Sequence, residues 1–244
     1  MKQGIFTIEK QVALTGNIFE MTLLGDISEI KAPGQFVNIK IDALYLRRPI
    51  SVCSAYGGML KIIYKVVGSG TEKMSRMKEG EKLDILSGLG NGYDVSKSGD
   101  RPLLIGGGVG VPPLYGLAEN LIKNGKKTTV ILGFNTKSEI FYEKEFAKLG
   151  CDVYLTTVDG SAGIKGFVTD ALSKDIEYSH YYACGPEAML KAVHKNCQSE
   201  GQLSFERRMG CGFGACMGCS CKTITGNKRI CKEGPVLSSK EVLW

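Results

Sequence analysis

Nine cysteines lie along this chain, and four in its last part have the spacing of iron–sulfur ligands. Three form a C-x4-C-x2-C motif and the fourth follows the third by twelve residues; they are Cys211, Cys216, Cys219 and Cys231. This spacing is typical of loops that bind a [2Fe–2S] cluster through four thiolates. The glycines around the motif agree, because a loop wrapped around bridging sulfides needs positive φ angles and nearby backbone N–H groups. We therefore predict an electron carrier.

A zinc site is the main alternative for these cysteines. Zinc ribbons usually contain two separate C-x2-C pairs, whereas this segment has one, Cys216 and Cys219. Cys221 could compete as a ligand, but its closeness to Cys219 would strain the loop, so Cys231 is the better fourth thiolate. The other cysteines lie among apolar or loop residues and are interpreted as free thiols: Cys53, Cys151, Cys184 and Cys197.

Composition favours a soluble cytoplasmic protein. The chain has 244 residues and is 43% hydrophobic, which suffices for a sizeable core in one or two domains. An odd number of cysteines and no signal-peptide pattern after Met1 favour a reducing compartment, and no apolar run is long enough to span a membrane. A dispersed net charge of +6 gives nucleic-acid binding little support. The two histidines form no recognisable nucleophilic site, so we do not expect hydrolysis.

The hydrophobic pattern divides the chain into three parts. From Gly4 to about Ser87, alternating or β-branched runs such as 36–41 and 60–67 predict a small antiparallel β-barrel. From Arg101 to about Gln198, strands alternate with helices, which predicts a doubly wound α/β domain with a parallel sheet. The remaining residues carry the cysteine motif and few regular signals. The predicted domains are 1–99, 100–200 and 201–244.

Two glycine-containing turns in the α/β part could bind a phosphate. Residues 106–113 follow its first strand and open its first helix, where backbone N–H groups and the helix dipole favour an anion. The turn departs from G-x-G-x-x-G because prolines end it and no acidic residue follows to hold a ribose, so a glycine turn without a ligand is the alternative. Residues 184–186 end a later strand, so both turns should meet at the carboxyl edge of the sheet, where such sheets bind ligands.

The barrel part holds a second candidate phosphate site. Residues 47–51 (Arg-Arg-Pro-Ile-Ser) place a guanidinium near a hydroxyl, and residues 68–71 (Gly-Ser-Gly-Thr) open a short helix. An arginine and a helix N-terminus rich in small residues are suited to a pyrophosphate. A surface arginine pair and an ordinary helix cap explain the same residues equally well.

The order of these motifs resembles the ferredoxin–NADP reductase superfamily, and within it the family of electron-transfer subunits of NAD-linked dihydroorotate dehydrogenases. The resemblance covers essentially the whole chain, and its most specific part is the tail at 209–236. It implies an FAD-binding barrel, an NAD-binding α/β domain and a small [2Fe–2S] subdomain. Arg48 would contact the FAD diphosphate and Ser51 would lie near the flavin ring. The implied FAD residues are Arg48, Pro49, Ile50, Ser51, Ile63, Tyr64, Lys65, Gly70 and Thr71; the implied NAD residues are Gly108, Gly110, Pro112, Cys184, Gly185 and Pro186; the implied cluster ligands are the four cysteines of the motif.

The same resemblance implies a role in pyrimidine biosynthesis. Electrons would enter from FMN in a separate catalytic subunit, where dihydroorotate becomes orotate, and would leave on NAD+. A nicotinamide exchanges a hydride whereas a [2Fe–2S] centre moves single electrons, so a flavin must mediate between them. Nothing in this chain resembles a dihydroorotate site, which is consistent with that chemistry in a partner, and the family implies a heterotetramer.

Two other functions fit the same motifs. One is the flavin and iron–sulfur subunit of an NADH-dependent ferredoxin–NADP oxidoreductase or sulfide dehydrogenase, and the other is a non-catalytic metal-binding interaction module. The chain also lacks the Arg-x-Tyr-Ser sequence of plant-type reductases, since Pro49 and Ile50 separate Arg48 from Ser51. We expect Trp244 to pack beside the cluster loop or at a subunit surface rather than over the flavin.

Overall fold

Six antiparallel strands close into a barrel in the computed structural model, which describes residues 1–172 and 175–244. The strands are β1 Lys2–Ala13, β2 Ile18–Leu24, β3 Phe36–Ile39, β4 Arg48–Tyr56, β5 Met59–Lys65 and β6 Lys82–Leu89, with helix α1 Ser69–Ser75 between the last two. They pair in the order β1-β2-β5-β4-β3-β6. Alternation drives the closure: in β6, Leu83 and Ile85 are buried inside the barrel and Asp84 between them is half-buried. The predicted barrel is confirmed.

A mostly parallel sheet forms the second half of the molecule. Its elements are β7 Pro102–Gly107, α2 Val111–Lys123, β8 Thr129–Phe134, α3 Glu143–Lys148, β9 Asp152–Thr157, β10 Ile164–Lys165, α4 Val168–Leu172, β11 His180–Cys184, α5 Glu187–Asn196, β12 Gly201–Ser204 and β15 Val236–Ser238. The strands pair in the order β10-β9-β8-β7-β11-β12-β15, and β15 alone runs antiparallel to its neighbour. Helices α2 and α3 pack on one face and α4 and α5 on the other, which confirms the doubly wound α/β prediction.

Short elements complete the chain. Strands β13 Ser220–Thr223 and β14 Gly226–Arg229 form an antiparallel hairpin. One-turn 3-10 helices lie at Val95–Lys97, Gly108–Gly110, Lys137–Glu139 and Ser239–Glu241. Within the described ranges, no helix combines the length and the apolar character that a membrane span requires.

Helix α2 joins the barrel to the α/β sheet. Its Leu114 and Leu117 are fully buried in one core with Cys53 and Ile63 of the barrel strands. A Cβ added at Gly116 would lie 2.6 Å from the carbonyl oxygen of Cys53, so helix and strand backbones are in direct contact there. The two large parts of the chain therefore share a continuous core rather than a hinge.

The last part of the chain is tied to both larger parts. Strand β12 pairs with β11, and β15 pairs with β12, so two of its segments extend the α/β sheet. Against the barrel, Phe36 and Leu89 share a buried core with Cys219, Ile230 and Cys231. We keep the division at 1–99, 100–200 and 201–244 as a proposal, with these two strands as the link between the second and third parts.

Candidate functional site

The four motif cysteines lie in two pairs on the segment 211–231, which is called the cysteine loop, or cluster loop, below. Cys211 and Cys216 form the outer pair, half-buried and exposed respectively, whereas Cys219 and Cys231 are each only 2% exposed. The loop leaves the sheet after β12, and the β13–β14 hairpin brings Cys231 back beside Cys219. Ile230 closes this return by donating its backbone N–H to the carbonyl oxygen of Cys219 at 3.2 Å. Sequence-distant cysteines are thus brought together by the hairpin.

Backbone N–H groups point at the outer sulfurs. The N–H groups of Ala215 and Cys216 donate to Cys211 Sγ at 3.2 and 3.4 Å, and the N–H of Cys211 donates to Cys216 Sγ at 3.5 Å. Burial alone would raise the pKa of Cys211, but hydrogen bonds from the backbones of Cys216, Phe213 and Ala215 lower it to about 6. The loop therefore favours a thiolate at this position, the form that binds iron.

The inner pair is buried and also receives a backbone N–H group. The N–H of Cys231 donates to Cys219 Sγ at 3.4 Å. Burial, followed by the hydrogen bond and charge of Cys219, raises the pKa of Cys231 to about 12. Both thiols are shielded from water, and binding of a metal must displace the proton that Cys231 retains.

Four thiols held in two pairs are a donor set that suits a two-iron cluster. A zinc ribbon would bring four ligands around one point, whereas a [2Fe–2S] cluster distributes four thiolates over two irons. The donor set therefore fits the predicted cluster.

Cys221 packs against the buried core that contains Cys219 and Cys231. It lies on β13, half-buried. Burial raises the pKa of its thiol, Arg207 lowers it, and the charge of Cys219 contributes to the rise. The expectation that Cys231 rather than Cys221 is the fourth ligand stays a prediction, supported by the contact between Cys231 and Cys219.

Arg229 holds the cysteine loop in place through its side chain. Arg229 Nη1 donates to the carbonyl oxygen of Gly214 at 2.6 Å, and Arg229 Nε donates to Glu233 Oε2 at 2.9 Å. The hydrogen bond from Arg229 lowers the pKa of Glu233 to about 2. This ion pair braces both ends of the cysteine loop.

Arg47, which precedes β4, and Arg48, which begins it, have different environments. Arg47 pairs with Asp84 at 3.0 Å and also donates to the backbone oxygen of Asp84 at 2.9 Å. Arg48 forms no ion pair with any described carboxylate; it donates to the carbonyl oxygen of Leu46. Arg47 is therefore a structural residue of the barrel, and Arg48 is the arginine whose charge remains available to an anion.

Arg48 lies directly on helix α1. A Cβ at Gly70 would be 2.0 Å from Arg48 Nε, so only a glycine lets the guanidinium rest against the first turn of this helix. The hydroxyl of Thr71 accepts the N–H groups of Val67 and Gly68 at 3.0 and 3.3 Å, which shapes the turn itself. These contacts suit a diphosphate that meets Arg48 and backbone N–H groups rather than the Thr71 side chain.

The remaining predicted FAD residues occupy two faces of neighbouring strands. Pro49 lies opposite Asn38 and Ser51 opposite Phe36, so Pro49 and Ser51 share the outer face of the barrel with these β3 residues. Ile50 packs toward the barrel interior. On β5, Ile63 and Tyr64 are buried, and the Tyr64 hydroxyl donates to Gln11 Oε1 at 2.8 Å. Any FAD contact of Ile63 and Tyr64 would be through their backbone, while the half-buried Lys65 retains an accessible side chain.

The two glycine turns of the α/β part are adjacent. Strands β7 and β11 are parallel neighbours, and a Cβ at Gly110 would lie 2.2 Å from the carbonyl oxygen of Cys184. Gly108 and Pro112 flank this contact on one side, and Gly185 and Pro186 on the other. Burial raises the pKa of the Cys184 thiol to about 12, so it stays protonated. The turns form one edge with a tight glycine-to-backbone contact, as NAD binding at that edge would require.

Sequence reasoning missed three residues that bind the parts together. Asn38 donates from Nδ2 to the carbonyl oxygen of Cys211 at 3.2 Å, and Asn91 donates to those of Glu233 and Val236 at 3.1 and 2.7 Å. The Tyr93 ring packs edge-on against Tyr182, with ring centroids 5.6 Å apart. For Asn38 alone, the sequence contains an indication of a special role, because this polar residue interrupts the otherwise apolar run at 36–39.

Trp244 packs away from the barrel strands. Its ring lies 5.6 Å from that of His194 on α5 and 5.8 Å from that of Phe205, measured between centroids, and it is 38% exposed. Phe205 directly follows β12, so this aromatic group sits where the cysteine loop begins.

Two family models match the chain. Residues 206–243 match the iron–sulfur cluster binding domain of dihydroorotate dehydrogenase B, and residues 104–195 match the oxidoreductase NAD-binding domain. The dihydroorotate dehydrogenase B (NAD(+)) electron transfer subunit of Geobacillus sp. (strain WCH70) is 44% identical over 256 residues, with 100% of this chain and 99% of that protein covered. The chain belongs to this family. The protein of the same name from Fusobacterium nucleatum subsp. nucleatum is 44% identical over 257 residues, with 99% of each covered.

Solved structures share the fold of this chain. The structure of an NADH-dependent reduced ferredoxin-NADP oxidoreductase superposes with a TM-score of 0.90 at 31% identity, covering 99% of this chain and 90% of that one. A ferredoxin NADP+ reductase from Neisseria gonorrhoeae with bound FAD and NADP has a TM-score of 0.69 at 16% identity, covers 80% of this chain and 90% of that one, and shows the shared fold alone. The predicted family, fold class and class of FAD, [2Fe–2S] and NAD oxidoreductase subunit are confirmed; the individual site residues stay predictions.

Replacement of single cysteines tests the ligand set. We expect Cys231→Ser to lose the visible absorbance and iron of the cluster while flavin is retained, because one of four thiolates is removed. Cys221→Ser is the matched control. Cys221 lies two residues after Cys219 and is not a predicted ligand, so this variant should keep its full iron content. Iron analysis and absorbance spectra of anaerobically purified proteins decide between them; loss of iron in Cys221→Ser with full iron in Cys231→Ser would reverse the assignment.

Replacement of Arg48 tests the diphosphate contact. We expect Arg48→Ala to raise the FAD dissociation constant by about 10- to 100-fold, since a charge-assisted hydrogen bond contributes about 1.5–3 kcal/mol. Arg76→Ala, at the other end of α1 where the side chain is 76% exposed, is the control and should bind FAD normally. Titration of FAD fluorescence measures both, and equal affinities in the two variants would contradict the contact.

Proposed function

We propose that this chain is the electron-transfer subunit of an NAD-linked dihydroorotate dehydrogenase in pyrimidine biosynthesis. The observation that carries the proposal is full-length identity of 44% to curated proteins of that name, together with a cysteine loop whose paired thiols fit a two-iron cluster. The alternative function, an NADH-dependent ferredoxin–NADP oxidoreductase subunit, is supported by a structural neighbour at 31% identity. This support is weaker than the 44% identity to the proteins named above.

The bound cofactors would supply complementary chemistry: the cluster moves single electrons, NAD+ takes up a hydride, and FAD can do both. The chain's own residues bind and separate these groups. Arg48 and the first turn of α1 hold the FAD diphosphate, and Pro49 and Ser51 offer a face to the flavin ring. The edge formed by Gly110 and Cys184 receives the nicotinamide dinucleotide.

We propose that the cluster loop docks on an FMN-containing catalytic subunit that oxidises dihydroorotate. Cys216 is exposed at the surface of the loop, and two apolar side chains next to it are also exposed, Phe213 by 43% and Met217 by 54%. Apolar side chains that surround a surface thiolate ligand suit a partner that must bring its own cofactor close. A cytoplasmic heterotetramer of two catalytic and two electron-transfer subunits is the proposed assembly.

The proposal is tested by dihydroorotate-dependent reduction of NAD+ under anaerobic conditions. The FMN-containing catalytic subunit is assayed alone, with this chain, and with its Cys219→Ser variant. We expect NADH only in the mixture with the unmodified chain, because Cys219 is one of the two buried thiols that would hold the cluster.

Two other results would redirect the assignment. If a chain with full flavin and iron forms no NADH in this mixture but reduces ferredoxin with NADH, the runner-up function replaces the proposed one. A colourless protein that contains zinc instead of iron would support the metal-binding interaction module.

A further inference from the structure

One buried polar atom near the cysteine loop has no partner in the protein. Within residues 1–172 and 175–244, Asn38 Oδ1 is the buried side-chain oxygen or nitrogen that makes no hydrogen bond. The residue is 1% exposed, so bulk water does not reach this atom. A buried acceptor left unpaired costs about 1–3 kcal/mol, and such atoms in folded proteins usually have a partner. The orphaned oxygen therefore calls for a donor from outside the chain.

The other end of the same side chain is already occupied. Asn38 Nδ2 donates to the carbonyl oxygen of Cys211 at 3.2 Å, and Gly212 packs against the same nitrogen. The amide is thus held in one orientation, with the nitrogen toward the cluster loop and the oxygen away from this hydrogen bond. Cys211 is the first cysteine of the motif, so Asn38 anchors the loop where it begins.

The position of Asn38 on the sheet indicates which molecule supplies the donor. It lies directly opposite Pro49 across the β3–β4 pair, and its neighbour on the same face, Phe36, lies opposite Ser51. Phe36 is in turn packed with Cys219 and Cys231. The outer face of β3 therefore touches the cysteine loop on one side and adjoins the proposed flavin residues of β4 on the other.

We propose that Asn38 is a further cofactor-binding and positioning residue that joins the flavin to the cluster loop. Its Oδ1 accepts a hydrogen bond from an N–H or O–H group of the bound flavin, while its Nδ2 holds the carbonyl of Cys211. One rigid amide then sets the position of the cluster loop relative to the flavin. This inference rests on the proposed binding of FAD to the β4 face.

Three variants separate the two ends of the side chain. Asn38→Leu keeps the branching of the side chain, removes both hydrogen bonds and should raise the FAD dissociation constant about tenfold. Asn38→Asp, whose buried carboxyl group is held protonated, keeps an acceptor oxygen and an O–H donor toward Cys211. It should bind FAD within about threefold of the unmodified chain. Asn91→Leu is the control, because Asn91 also holds the cysteine segment to the barrel but has all its polar atoms paired with Glu233 and Val236; its FAD affinity should be unchanged.

Each result decides the proposal. Equal FAD affinity in Asn38→Leu and the unmodified chain overturns the flavin contact, and so does an equal loss in Asn38→Leu and Asn91→Leu, which would mean that only loosening of the segment matters. An unmodified chain that does not bind FAD would instead overturn the proposed function. If Asn38→Leu does not fold, the unmodified chain is labelled with 13C at the asparagine side-chain carbonyls and studied by infrared spectroscopy. The Asn38 band, identified by its absence in Asn38→Asp, should move to lower frequency when FAD is added, and an unmoved band overturns the proposal.

Discussion

The packing of the cysteine loop against the outer face of the barrel is the contact on which the remaining structure depends. Phe36 and Leu89 from β3 and β6 share one buried core with Cys219, Ile230 and Cys231. This contact is apolar and closely packed. A displacement of the loop would therefore open a cavity and lower the stability of the fold. Strand β3 also pairs with β4, which carries Pro49 and Ser51. A single packing interaction thereby sets the spacing between the proposed flavin and cluster sites.

The two pairs of thiols differ in burial, and each suits a different requirement of an electron carrier: a rigid site, or access for a partner's cofactor. The inner thiols are shielded from water and are held in place by the hairpin. A site of this kind is rigid and would reorganise little around a bound metal. The outer pair receives backbone N–H groups that stabilise negative charge and lies at the surface, where a partner's cofactor can approach. The inner thiols pack with the barrel residues Phe36 and Leu89, whereas the Cys216 thiol lies at the surface.

Local patterns predicted much of this fold, and long-range contacts account for what they missed. Alternation along β5 and the Gly- and Pro-rich turns after β7 and β11 act over a few residues, so the barrel, the α/β sheet and its ligand edge could be predicted. Strand β12 is short and half polar, and it is a strand only because β11 and β15 pair with it on both sides. The different roles of Arg47 and Arg48 depend on Asp84, 37 residues from Arg47 in sequence. Asn38 meets Cys211 across 173 residues, which no local signal encodes.

The measurement that tests the account most directly is a crystal structure of the anaerobically purified chain with FAD, with diffraction recorded at the iron absorption edge. The account predicts two iron positions, one beside Cys211 and Cys216 and one beside Cys219 and Cys231, with the flavin ring against the β3–β4 face. A single metal held by four cysteines, or a flavin ring on another face of the barrel, would contradict it.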